Sequence, residues 1–240
     1  MKAMILAAGL GTRLRPLTDT KPKALIEYRG APLLEHVLNR LVSLGVNEVI
    51  INLHHLPEQI VEFVKSKNHF GIRIESSLEP KLLDTGGGLK QAAWFFDDDQ
   101  PFILHNVDVI SDIDLNNLMA AHRAGNHLAT LAVNQRETSR YFLFDENENL
   151  CGWQSLKDNR VISVRQTATQ HSLAFCGIHV ISPRIFSKLT EAGAFSIVES
   201  YLRLAAEGER IRAFRVDHNR WLDVGKLSVL QNSAGPQSTS

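Results

Sequence analysis

The chain has 240 residues, 26 basic and 26 acidic side chains, and two cysteines. That length buries a sizeable core in one large domain or two small ones, and the cancelling charge leaves no global field for nucleic acid or an anionic membrane. Cys151 and Cys176 are far apart and sit in no C-x-x-C pattern, which argues against a zinc site or redox pair and for a reducing compartment.

From the N-terminus, the apolar run Met4-Ile5-Leu6-Ala7 reads as a buried strand. It empties into Ala8-Gly9-Leu10-Gly11-Thr12-Arg13-Leu14-Arg15-Pro16-Leu17-Thr18 and continues to Lys21-Pro22-Lys23. The run is too short for a signal-peptide core and no other approaches a membrane span, so the cytoplasm is the expected location. Gly9 and Gly11 let the backbone approach an anion closely and tolerate positive φ, while Arg13, Arg15, Lys21 and Lys23 bring charge suited to a polyphosphate. A Walker A loop is excluded by spacing. The dinucleotide fingerprint lacks its third glycine, where Leu14 stands.

The stretch 24–28 follows, with a turn at Arg29-Gly30. Pro32 then opens a helical period carrying Leu34, Val37, Leu38, Leu41 and Val42 on one face, and Gly45 is placed to end it. Residues 49–53 form a continuous apolar run of the kind found in a buried parallel strand. A helix over about 57–67 and a strand over 72–75 come next. This alternation predicts an α/β fold, a Rossmann-like, mostly parallel sheet flanked by helices, with ligands at the carboxyl ends of its strands. Leu83-Asp84-Thr85-Gly86-Gly87-Gly88-Leu89 precedes an amphipathic stretch with Ala92, Ala93 and Phe96. Its glycines either expose backbone groups to a base edge or anion at the mouth of a helix, or form a purely structural loop. The strand 101–105 ends in Asn106-Val107-Asp108-Val109, where Asp108 is placed to hold a hard cation such as Mg2+ or merely to cap a turn. Strands at 129–133, 141–144, 150–153 and 173–180 follow, with a polar turn at 145–149. His54 and His55 read as loop residues, Asp97-Asp98-Asp99 as a solvated turn, and 233–240 as a disordered tail.

The run from Gly9 to Lys23 fits the pattern G-x-G-T-R-x-x-P-x-T followed by K-P-K without a gap. On it the chain resembles the sugar nucleotidyltransferases, which join a nucleoside triphosphate to a sugar 1-phosphate and release pyrophosphate. The resemblance implies a GT-A-like catalytic domain over 1–232, with a nucleotide-binding half (1–127) and a smaller mixed sheet on the sugar side (128–232). It implies nucleotide contacts from Leu6, Ala8, Gly9, Gly11, Thr12, Arg13, Lys23, Thr85, Gly86, Gly87 and Asn106. Arg13, Lys23 and Asp108 become the catalytic candidates, Asn106 and Gly177 the sugar contacts, and Asp108 with Asp223 of Trp221-Leu222-Asp223-Val224-Gly225 the ligands of Mg2+. Asp223 could equally cap a short terminal helix. The Leu-acidic-Thr-Gly-Gly-Gly form is closest to the N-acetylmuramate 1-phosphate uridylyltransferase branch, and less like the G-T-A-G form of mannose 1-phosphate guanylyltransferases. Two departures stand out: Val107 replaces a small residue beside Asp108, and Trp153-Gln154-Ser155-Leu156-Lys157 stands where an E-K-P segment is common. A regulatory nucleotide-sugar-binding protein that kept the fold and lost the chemistry is the alternative class, and a nicotinamide-dependent oxidoreductase a more distant one.

Overall fold

The computed structural model describes residues 1–227 and 230, so the tail expected at 233–240 lies outside the described residues. Along the chain run β1 (Lys2–Leu6), β2 (Glu27–Tyr28), β3 (Ala31–Pro32), α1 (Leu33–Ser43), β4 (Glu48–Leu53), α2 (Pro57–Ser66), β5 (Arg73–Leu78) and α3 (Asp84–Gln91). β6 (Phe102–Asn106), β7 (Val109–Ser111), α4 (Leu115–Gly125), β8 (Ala129–Asn134), β9 (Arg140–Phe144), β10 (Leu150–Ser155) and β11 (Arg160–Ser163) follow. β12 (His171–Ile181), α5 (Ile197–Ala206), β13 (Ile211–Arg215) and β14 (Trp221–Asp223) complete the series.

Ten strands form one twisted sheet in the order β11-β10-β9-β12-β6-β1-β4-β5, with β8 on β12 and β13 on β8. β6, β1, β4 and β5 are parallel; β1, β4 and β6 are covered on both faces and read as mainly apolar runs, whereas β5 at the edge (RIESSL) is polar and largely exposed. β12 runs antiparallel to β6 and β8 through one half and to β9 through the other, so the parallel half and the mixed half expected at 128–232 share a strand. Its register slips between Phe175 and His179, around Gly177 at φ 73°.

α1 buries Leu33, Leu34, Val37, Leu38 and Leu41. Each fully buried aliphatic contributes about 1.5–3 kcal/mol, which outweighs the roughly 1 kcal/mol that a side-chain cap would add and that Pro32 cannot supply. α4 and α5 are capped by side chains: Asp114 accepts from the N–H groups of Asn116 and Asn117, and Ser196 from that of Val198. Residues 24–28, for which the sequence predicts no element, form a short 3-10 turn (Lys23–Leu25) running into the two-residue β2. One local expectation is corrected: the amphipathic stretch to Phe96 is broken after Gln91 into a 3-10 turn.

The expected glycine loop at the mouth of a helix is also corrected, because Gly86, Gly87 and Gly88 lie inside α3. An added Cβ would stand 2.4 Å from the Phe195 ring at Gly86, 2.6 Å from the Gly193 carbonyl oxygen at Gly87 and 2.5 Å from Glu79 Oε1 at Gly88. Close packing on three sides, not backbone exposure, is what these glycines permit.

Candidate active site

β1 ends at Leu6, and the chain turns through Gly11, whose φ of 64° is left-handed. A Cβ at Gly11 would stand 2.7 Å from Thr18 Cγ2, so both conformation and space require glycine. Thr18 Oγ1 donates to the Gly11 carbonyl at 2.9 Å, and His55 Nε2 lies 2.9 Å from the Thr18 carbonyl oxygen. His54 Nδ1 lies 2.8 Å from the carbonyl oxygen of Glu79. Both histidines therefore brace loops.

The carboxyl ends of β1, β4 and β6 open on a cavity of about 510 Å³. Of the residues singled out in the sequence, Leu6, Ala8, Gly9, Lys23, Thr85, Asn106 and Asp108 line it. Gly86 and Gly87 stand behind the wall, their N–H groups donating to the Phe195 carbonyl at 2.9 and 3.2 Å. Gly177 packs against Asn106, with the site of a Cβ 2.8 Å from Asn106 Nδ2.

Asp108 and Asp223 are far apart in sequence and close in space. β14 pairs with β7 so that Asp223 faces Val109, and the Val224 N–H donates to the Asp108 carbonyl at 2.9 Å. The carboxylates converge beside Gly225: Asp108 Oδ2, Asp223 Oδ1 and Arg13 Nη2 each lie 2.8 Å from the point a Cβ there would occupy. Asp223 is therefore the end of a strand, not the cap of a helix, and its Oδ1 accepts from the Gly225 N–H at 2.8 Å. Arg13 spans both carboxylates, 3.9 Å from Asp108 and 3.6 Å from Asp223, and Lys23 is ion-paired with Asp108. No group of three or more His, Cys, Asp or Glu is set to cage a metal among the described residues. Two carboxylates around a glycine-made space fit Mg2+ nonetheless, since that ion keeps several waters and takes substrate oxygens as its other ligands.

Asn52, Glu79, Leu82, Asp84 and Ala194 line the cavity without having been singled out in the sequence. Asn52 and Glu79 are buried and linked: the Ala7 N–H donates to Asn52 Oδ1 at 2.7 Å, Asn52 Nδ2 to Glu79 Oε1 at 2.7 Å, and the Leu83 N–H to Glu79 Oε2 at 2.9 Å. The network ties the first loop to the start of α3. A signal was present for Asn52: the run 49–53, read as continuously apolar, carries this one polar residue near its carboxyl end.

The N-acetylmuramate α-1-phosphate uridylyltransferase of Neisseria meningitidis serogroup B is 35% identical over 237 residues, covering 97% of this chain and 96% of that protein. A mannose-1-phosphate guanyltransferase of Gibberella zeae is 32% identical over 229 residues, covering 94% of this chain; the chain spans 61% of that relative's length. Among solved structures, HddC from Yersinia pseudotuberculosis complexed with GMP-PN superposes with a TM-score of 0.76 at 20% identity, each chain covered to 97%. That likeness shows the shared α/β fold. The family model described as nucleotidyl transferase matches residues 2–235, and the chain belongs to that family.

Proposed function

We propose that the protein transfers a nucleotidyl group from a nucleoside triphosphate to a sugar 1-phosphate, giving a nucleotide sugar and pyrophosphate. The observation that carries this reading is the convergence of Asp108, Asp223 and Arg13 on the space beside Gly225, with Lys23 at the edge of the cavity. The favoured pair is UTP with N-acetylmuramate 1-phosphate. Its support is the glycine-rich form at 83–89 and the 35% identity to a uridylyltransferase matched along 96% of its length.

The sugar phosphate is already an anion, so its oxygen attacks the α-phosphorus in line and needs no general base. Arg13 and the N–H groups around Gly11 and Thr12 would stabilise the triphosphate and the departing pyrophosphate. Lys23 would stand between the α-phosphate and the sugar phosphate, where two anions must be brought together. Thr85, at the start of α3, is the candidate for the base, with Gly86 and Gly87 acting through the packing that holds it. Asn106 would touch nucleotide or sugar phosphate, and Gly177 positions Asn106 from behind. Asp108 and Asp223 would hold Mg2+, which supplies charge neutralisation of the phosphates when bound. In this reading residues 1–127 serve the nucleotide and 128–232 the sugar, in the cytoplasm.

The test is pyrophosphate release with Mg2+ across UTP, GTP, CTP, dTTP and ATP, each paired with N-acetylmuramate, glucose and mannose 1-phosphates and with phosphocholine. Release with UTP and N-acetylmuramate 1-phosphate is expected. Release only with GTP and mannose 1-phosphate would transfer the assignment to a guanylyltransferase, and nucleotide binding without release under any pair would favour a regulatory protein.

A further inference from the structure

β8 and β13 run in the same direction as β6, because β12 is antiparallel to both β6 and β8 and β13 is parallel to β8. Their amino ends therefore lie at the opposite edge of the sheet from the catalytic cavity. There the chain builds a second polar cavity, of about 300 Å³, lined by His127, Asn147, Asn149, Arg210 and Arg212. Among the described residues, no acidic side chain lines it.

Arg210, just before β13, and Arg212 within it are two residues apart and both exposed, with Ile211 turned into the core between them. Among the described residues neither guanidinium has a hydrogen-bond or ion-pair partner. The acids that could have neutralised them are already engaged. Glu209 pairs with Arg184 at 2.6 Å and Lys188 at 2.9 Å, and Glu148 lies 3.1 Å from His171 Nε2. Asp145 accepts the N–H groups of Asn147 and Asn149. Arg210 and Arg212 thus sit together on one concave patch.

The floor of the cavity is built, not incidental. His127 is 3% exposed, and its Nδ1 lies 3.3 Å from Thr130 Oγ1. A Cβ at Gly125 would fall 1.9 Å from His127 Nε2, so the last turn of α4 gives up a side chain to admit the ring. Burial first, and then Arg212 and Arg210, hold this imidazole below its ordinary value, so it remains a neutral donor or acceptor beside two permanent cations. Guanidinium forks and the Asn147 side-chain amide match the oxygens of a tetrahedral oxyanion, while Asn149 Nδ2 already lies 3.4 Å from both carboxylate oxygens of Asp145. The volume is at the low end for small-molecule sites, which suits phosphate or a short phosphate ester.

We propose that this cavity is a second oxyanion site, separate from the catalytic one, that takes orthophosphate or a small phosphomonoester. The test is an NMR titration of the full chain, following the side-chain amides of Asn147 and Asn149 and the His127 imidazole, with sodium phosphate and with glycerol 3-phosphate against sodium chloride at matched ionic strength. Saturable shifts with the phosphates are expected, weakened about tenfold or more in the double variant Arg210→Gln/Arg212→Gln. The variant's melting temperature and pyrophosphate release should stay unchanged. Tighter binding of the ester identifies a phosphorylated metabolite as the source, and tighter binding of orthophosphate the free ion. Shifts that chloride reproduces, or that persist in the double variant, overturn the proposal. Should the double variant melt early, the two single substitutions are titrated in its place under the same criteria.

Discussion

Gly225 is the residue on which the geometry of the candidate site turns. Its missing side chain opens the space where Arg13, Asp108 and Asp223 meet, each 2.8 Å from a Cβ that is not there. Gly225→Ala should lower pyrophosphate release by about a hundredfold, the scale expected when reacting groups are displaced by an ångström, while the urea midpoint barely moves. Activity near wild type would mean that the space is not used. Asp108→Ala should cost turnover by orders of magnitude, about 10²–10³ or more, on the scale of removing a preorganised charge-stabilising group. Because that substitution also removes the partner of Lys23, circular dichroism must show an intact fold before the loss is read as catalytic. An active Asp108→Ala protein would sink the assignment. At this scale the sequence was most legible around Gly9 to Lys23, where cations and glycines are contiguous. Glu79 and Asn52 escaped because each is a single polar residue, and their importance lies in a hydrogen bond to each other across 27 positions.

Among the elements, α3 sets two local rules against one another. Glycine inside a helix costs about 1 kcal/mol relative to alanine, so Gly88→Ala would stabilise an isolated helix. In the folded chain a Cβ there meets Glu79 Oε1 at 2.5 Å and Asn52 Nδ2 at 2.8 Å, within a buried network. Overpacking costs about 1–3 kcal/mol and breaking a buried hydrogen bond a similar amount, so the clash should win. We expect Gly88→Ala to lower unfolding free energy by about 1–3 kcal/mol in urea titrations. A gain in stability would show that the network relaxes freely. The same contest explains why the glycine run read as a loop: its helical state depends on Phe195, Gly193 and Glu79, none of them local. β7 and β14 went unread for a similar reason, being three-residue strands that exist only by pairing with each other.

Across the whole molecule, acid stability follows from buried histidines, His105 and His179 in the sheet and His122 on α4 beneath it. Burial holds His105 and His122 down to about 4 and His179 to about 3, against an ordinary value of 6.5. Below about pH 6.5 the unfolded chain binds protons that the folded chain refuses, so stability fully present above that pH is lost as pH falls toward 4 and 3. Each such imidazole removes about 1.4 kcal/mol per pH unit, and the three together about 4 kcal/mol per unit through this window. Urea midpoints should therefore drop steeply between pH 6.5 and 5, and a flat profile would contradict the three buried neutral rings. The alternation of apolar runs and helical periods by itself determined the α/β class and the parallel core, because burial on both faces of a sheet writes itself into consecutive residues. The contiguous loop from Gly9 to Lys23 was likewise legible as a motif, since glycine freedom and side-chain charge are local properties, and the polyphosphate grip proposed for it rests on those. Only the tertiary structure brought Asp108 to Asp223, closed the glycines of α3 into a packed wall and left Arg210 and Arg212 without a side-chain partner among the described residues, on a separate edge. Those outcomes depend on which distant strands pair and which acids reach which bases, and no short window of sequence contains both partners.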